Sequence, residues 1–251
     1  QGEFTAEALI REAQRGADLV VVSRAMFMTG QLVGGLDQLA DVCHAQGARL
    51  LVDLYHAVGI VPADVRAMRA DFAIGGSYKY LRGGPGAGYL YLSPQVLANG
   101  LRPLDTGWFA NAEMFRFQRP DPPVLKAGGD AFLEGTPAVL PWYQARSGAD
   151  FVLAIGVARL REYSLRQLQA LRGYLAEAGV TGITGGDEGH AAFLSIRLPQ
   201  AMEIPKLLEK EGIVCDARGE WLRLCPDCLT RDEELRRAAR ALGDALRATS
   251  A

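Results

Sequence analysis

The apolar positions of this chain fall into short unbroken runs separated by amphipathic stretches. Residues 5–15 have helical spacing and lead into residues 17–23, where Leu19, Val20, Val21 and Val22 are consecutive. A continuous apolar run of strand length marks a strand covered on both faces, as in a parallel sheet. Over residues 35–47, Leu36, Leu39, Ala40 and Cys43 recur at helical spacing, and Gly47 stops the helix. A second run, Leu50-Leu51-Val52, ends in Asp53, and residues 61–68 read as a short turn or helix. A third run, Phe72-Ala73-Ile74, passes through Gly75-Gly76 and Ser77-Tyr78-Lys79-Tyr80. A glycine-rich turn then leads into the strand pattern of Tyr89-Leu90-Tyr91-Leu92. Strand–helix–strand alternation of this kind predicts an α/β doubly wound layer with right-handed crossovers.

Beyond residue 99 the pattern changes. Residues 99–136 are irregular and rich in Pro, Gly and aromatics, and a loop of that length inside a compact domain is usually functional. Residues 142–177 are helical in pattern, with interruptions expected at Gly148 and Gly156. A strand over 191–198, a helix over 204–212 and short strands over 213–216 and 221–225 follow. A final helix opens at Thr230, which has capping-box spacing to Glu233. These elements predict a large domain over residues 1–145, a connecting helical region over 146–180 and a small α+β domain over 181–251.

Composition narrows the class without fixing it. The chain has 251 residues, about half of them apolar, and a net charge of −2. That is ordinary for a soluble enzyme and leaves no electrostatic footprint for nucleic acid or a membrane surface. No apolar run reaches the ~18 residues of a membrane span. Four cysteines in a chain this long do not form a disulfide framework, so a cytoplasmic setting is expected. Cys43 and His44 are adjacent and lie on different faces of their helix, with Cys43 expected in the core and His44 in solvent. Cys225-Pro226-Asp227-Cys228 stands alone, without the further ligands a zinc site needs, and no metal is expected.

The candidate chemistry lies at two strand ends. Lysine is scarce here, with four against twenty-three arginines, yet Lys79 sits between two tyrosines at the end of an apolar strand. Burial there can lower its pKa until the amine condenses with an aldehyde, which arginine cannot do. By itself Lys79 could equally be a solvated loop lysine, and Asp53 a helix N-cap. Together they match what a pyridoxal 5'-phosphate (PLP) enzyme needs: a lysine for the aldehyde, and an acid that keeps the pyridine nitrogen protonated. Ser23, Asp53 and Lys79 all fall at the carboxyl ends of their predicted strands, where ligands bind in sheets of this type.

The segments DLYHAVG, ADFAIGGSYKYLRGGPGAGYLYL, TGWF and GTP, in that order, resemble kynureninase and its near relatives. These are PLP enzymes of the class V aminotransferase group with the aspartate-aminotransferase fold (fold type I). The resemblance runs from about residue 17 to the C-terminus and is strongest over residues 50–92. It implies a mostly parallel sheet in a large domain, a small α+β C-terminal domain, and PLP as cofactor. It implies that Lys79 holds the cofactor and moves protons, that Asp53 faces the ring nitrogen, and that His56 lies against the cofactor. Tyr78, Ser23 and Thr136 are implied as phosphate ligands, and Trp108 as a cofactor contact in a segment that crosses between subunits. Arg223 is implied as the ligand of the substrate α-carboxylate, with Arg218 as the alternative.

The whole is implied to be a homodimer with shared sites, acting on an amino acid by hydrolytic Cβ–Cγ cleavage. This sequence departs from the family pattern at Arg82, in place of asparagine, and at Ala110-Asn111, in place of Gly-His. Thr136 stands where an asparagine is usual. These departures keep PLP but leave open another class V reaction (amino transfer, desulfuration or lyase chemistry, epimerisation) or a non-catalytic scaffold. The family's longer N-terminal part has no counterpart, so the chain is expected to be the back part of a larger protein.

Overall fold

Two sheets organise the chain. The computed structural model describes residues 4–250. Strands β1 (Leu19–Ser23), β2 (Arg49–Asp53), β3 (Phe72–Gly76) and β4 (Gly88–Leu92) form the first sheet in the order β1-β2-β3-β4. The β1–β2 and β2–β3 pairs are parallel and β3–β4 is antiparallel, so the sheet is mostly parallel, as expected. Helices α1 (Ala6–Ala13) and α2 (Leu36–Ala45) connect into it. One face carries Val22, Leu50, Val52 and Ala73 into a core that includes Leu36, Leu39 and Cys43 of α2. Alternation along the strands turns Leu19, Val21 and Leu90 to the other face, where Val21 is 61% exposed. Residues 65–69 form a turn with no helix, and α3 (Pro94–Ala98) follows β4.

The helical stretch after the long loop divides into α4 (Val139–Ile155) and α5 (Val157–Glu177). Gly156, at φ 91°, separates them as expected. Gly148, expected as a second break, lies inside α4. A Cβ there would overlap the Leu81 carbonyl oxygen and the Gly83 nitrogen, so this glycine lets the loop after Lys79 rest directly on the helix.

The second sheet is antiparallel, in the order β5-β6-β8-β7, from β5 (Ile183–Thr184), β6 (Leu194–Arg197), β7 (Asp216–Arg218) and β8 (Trp221–Leu224). Helices α6 (Ile204–Glu209) and α7 (Asp232–Ser250) pack on it, and its core draws Leu168, Leu171 and Leu175 from α5. Leu160 of the same helix belongs to the first core. The strand expected over 213–216 instead begins at Asp216, because β7 is held in register with β8 through a turn at Gly219 (φ 57°). The capping box expected at Thr230 does not form. Thr230 Oγ1 accepts from Asp227 N at 2.9 Å, and Glu234 takes the Arg231 N–H at 2.8 Å. His44, expected in solvent, is tied to the buried Asp71 carboxylate at 2.8 Å, which also accepts from Leu50 N. No helix among the described residues is long and apolar enough to cross a membrane.

Candidate active site

The parallel register places Ser23 directly beside Asp53, each the last residue of its strand. Ser23 Oγ donates to Asp53 Oδ2 at 2.8 Å, and Tyr55 N donates to Oδ1 at 2.8 Å. The carboxylate is therefore oriented by both neighbours and keeps lone pairs free. Ser23, expected from the resemblance as a phosphate ligand, spends its hydroxyl on Asp53 in this structure.

After β3 the backbone folds into a tight loop held by Ser77. Its amide donates to Ala87 O at 2.9 Å, and its hydroxyl is within reach of Gly84 O at 2.6 Å and Ala87 O at 3.1 Å. This turn aims Lys79 back over the sheet end. Lys79 Nζ lies 2.6 Å from His56 Nε2 and faces the rings of Tyr55 and Tyr78 at 5.9 and 5.6 Å. Desolvation, then the nearby Arg223, hold the Lys79 amine below its ordinary pKa, opposed by Asp53 and Asp216. His56 is pushed down to about 4 by burial, then by Lys79 and Arg223, so it is a neutral imidazole at pH 7. Its ring meets Phe193 edge-on at 6.3 Å. Tyr78 is 52% exposed.

Arg223 reaches this group from the second sheet. Its guanidinium lies 5.5 Å from the Phe193 ring, and Nη1 donates to Phe27 O at 2.5 Å. Nε donates to Asp216 Oδ1 at 2.7 Å, and Nη2 donates to the other carboxylate oxygen. This bidentate pair raises the Arg223 pKa and lowers that of Asp216. Arg218 is more peripheral. Its Nη1 donates to Ala217 O at 2.8 Å, and its guanidinium is 3.5 Å from Asp216.

The structure thus brings together Ser23, Asp53, His56, Tyr78, Lys79 and Arg223. It does not bring Trp108 or Thr136 to them. Trp108 packs on Phe109, Phe115 and Phe117 of its own loop, and Thr136 is exposed without a hydrogen bond among the described residues. Sequence reading missed Asp216 and Tyr55. Asp216 was accessible, because a two-residue turn at Gly219-Glu220 sets it opposite Arg223 in the hairpin. Desolvation pushes the Cys225 and Cys228 thiols up, the opposite of a reactive cysteine. No group of three metal-ligating side chains occurs among the described residues.

A lysine amine held below its usual pKa, a strand-end carboxylate and a neutral imidazole lie together on the carboxyl edge of a mostly parallel sheet, the groups that a PLP enzyme of fold type I needs. The chain belongs to the class V aminotransferase family, whose model matches residues 1–240. It is 30% identical over 206 residues to the uncharacterised aminotransferase YcbU of Bacillus subtilis, a match covering 82% of this chain and 54% of that protein. The kynureninase of Deinococcus radiodurans is 30% identical over 208 residues, covering 80% of this chain and 49% of its own. Among solved structures, the cysteine desulfurase CsdA from Escherichia coli superposes with a TM-score of 0.81 at 18% identity, over 97% of this chain and 63% of that one. The chain spans about half the length of the relatives it matches in sequence. Family membership implies PLP as the cofactor. The donor set fits its aldehyde and ring-nitrogen ends through Lys79 and Asp53, and of the expected phosphate ligands Tyr78 lies beside Lys79.

Proposed function

We propose that this chain supplies the lysine, the ring-nitrogen acid and the carboxylate-binding arginine of a PLP-dependent enzyme acting on an α-amino acid. The observation that carries the reading is the convergence of Lys79, His56 and Asp53 with the Asp216-held Arg223. PLP, when bound, supplies an electron sink for carbanion chemistry.

Asp53, held by Ser23 and the Tyr55 amide, would be the acid that keeps the pyridine nitrogen protonated. Burial and the nearby Arg223 lower the Lys79 pKa, which favours the free amine that condenses with an aldehyde and exchanges protons at the substrate Cα. His56 stays neutral, so it accepts a hydrogen bond from Lys79 Nζ and orients it without adding a charge. Arg223, fixed by Asp216, offers its remaining donors to the α-carboxylate. Tyr78 takes the phosphate of its own subunit; Thr136 and Trp108 act from the partner of a two-fold dimer. Kynureninase-type hydrolytic Cβ–Cγ cleavage is the reaction that the kynureninase relatives, at 26–30% identity, favour. Amino transfer is the second reading, favoured by the name of the 30%-identical YcbU.

Borohydride reduction of the PLP-loaded protein, followed by peptide mapping, tests the assignment. The phosphopyridoxyl mass is expected on Lys79; recovery on Lys126 instead would overturn it.

A further inference from the structure

The loop that carries Lys79 is tied to the second sheet at two points outside the chemistry above. Tyr80 Oη lies 3.4 Å from Cys225 Sγ. The Arg82 guanidinium pairs with Asp227 and reaches Cys228 Sγ at 3.0 Å. Both ends of the pair are held in place: Asp227 accepts from Leu229 N at 2.9 Å, and Arg82 stacks 5.3 Å from the Phe151 ring. The Arg82 amide donates to Lys79 O at 3.0 Å, so residue 82 closes the turn that begins at the lysine. Residues 225–228 follow directly on β8, which holds Arg223. The contacts therefore join the chain just after Lys79 to the chain just after Arg223.

Stability does not account for this arrangement. Arg82 adopts φ 60°, a left-handed conformation costly for any residue with a Cβ. A partly exposed ion pair returns less than that cost. Backbone strain held in this way is characteristic of sites where position matters.

We infer that Arg82 and Asp227 form a brace that sets the separation of Lys79 from Arg223, and with it the spacing of amine and carboxylate that the site accepts. The inference rests on the proposed function, because it takes Lys79 and Arg223 as the two ends of the substrate-binding span. In an α-amino acid the nitrogen and the carboxylate carbon share one carbon; a β-amino acid interposes another. A braced site discriminates between the two, and an unbraced one does so less. Arg82 and Asp227 are positioning residues that touch neither substrate nor cofactor.

The test uses the holoenzyme as Arg82→Ala, as Asp227→Ala, and with both charges exchanged (Arg82→Asp with Asp227→Arg). The spectral response of the bound cofactor is titrated with L-alanine, β-alanine and ethylamine, the last lacking a carboxylate. Each single variant is expected to bind L-alanine roughly tenfold more weakly, since small misplacements of a positioned group are costly. Ethylamine should stay within twofold, the preference for L-alanine over β-alanine should shrink, and the exchanged pair should recover it. A cofactor-free readout accompanies this: amide exchange over residues 77–84 and 225–231 should quicken in Arg82→Ala and slow again in the exchanged pair. Equal losses for L-alanine and ethylamine, or an unchanged preference for L-alanine, overturn the brace while leaving the functional reading intact. Failure of borohydride to label Lys79 in the parent protein overturns both.

Discussion

At the scale of single residues, the site is governed by what His56 and Lys79 do to each other. His56 titrates near 4 because it is buried and faces Lys79 and Arg223, with Asp53 and Asp216 opposing. Replacing Lys79 with methionine removes one of the two cations, so the His56 pKa should rise by about one unit. With only three histidines in the chain, imidazole NMR titration can follow it directly. The stability consequence has a definite sign. A histidine whose folded pKa lies below its unfolded value favours folding fully above pH ~6.5, and loses that contribution as pH falls toward 4. The denaturation midpoint of the parent should fall across that window, and His56→Asn should flatten the fall. Equal slopes in the two proteins would mean that His56 is not held neutral by its surroundings.

At the scale of elements, glycines with the same letter do opposite things. Gly148 lies where the 81–83 backbone presses on α4, so Gly148→Ala forces the loop away and should destabilise by about 1–3 kcal/mol. Gly173 in α5 has nothing within 4 Å of an added Cβ, so Gly173→Ala should stabilise by about 0.5–1 kcal/mol. Denaturant unfolding of both variants checks the pair, and like signs would refute the packing argument. The contrast also shows what the sequence could and could not reveal. Apolar runs located β1, β2 and β3, but they were read as covered on both faces, and in this chain one face is open, with Val21 61% exposed. Gly148 was expected as a helix break because its reason lies in a loop sixty-five residues upstream, at Gly83. Ser23 and Asp53 were legible as strand ends, but their bond to each other depends on register between strands, which local pattern does not carry. Trp108 and Thr136 were matched by motif alone, and the fold of one chain leaves them apart from Lys79.

At the scale of the whole molecule, α4 presents Leu140 at 81% and Leu153 at 75% exposure, together with Tyr143. An apolar helix face of this kind favours the proposed two-fold dimer. Sedimentation should give a dimer mass for the parent and a monomer for Leu140→Asp with Leu153→Asp, with activity lost alongside; a fully active monomer would contradict shared sites. Helix α5 has a different consequence. Its 21 residues make a rod about 32 Å long, with Leu160 in the first core and Leu168, Leu171 and Leu175 in the second. The two cores should therefore melt together in a single calorimetric transition. Ser164→Pro, between the two sets of leucines, should divide that transition in two, because an interior proline costs about 3 kcal/mol and breaks the rod. Modularity is what the shared helix gives up. The second sheet cannot be cut out near residue 180 and grafted elsewhere as a self-sufficient piece, since the leucines that fill it sit on a helix rooted in the first sheet's core.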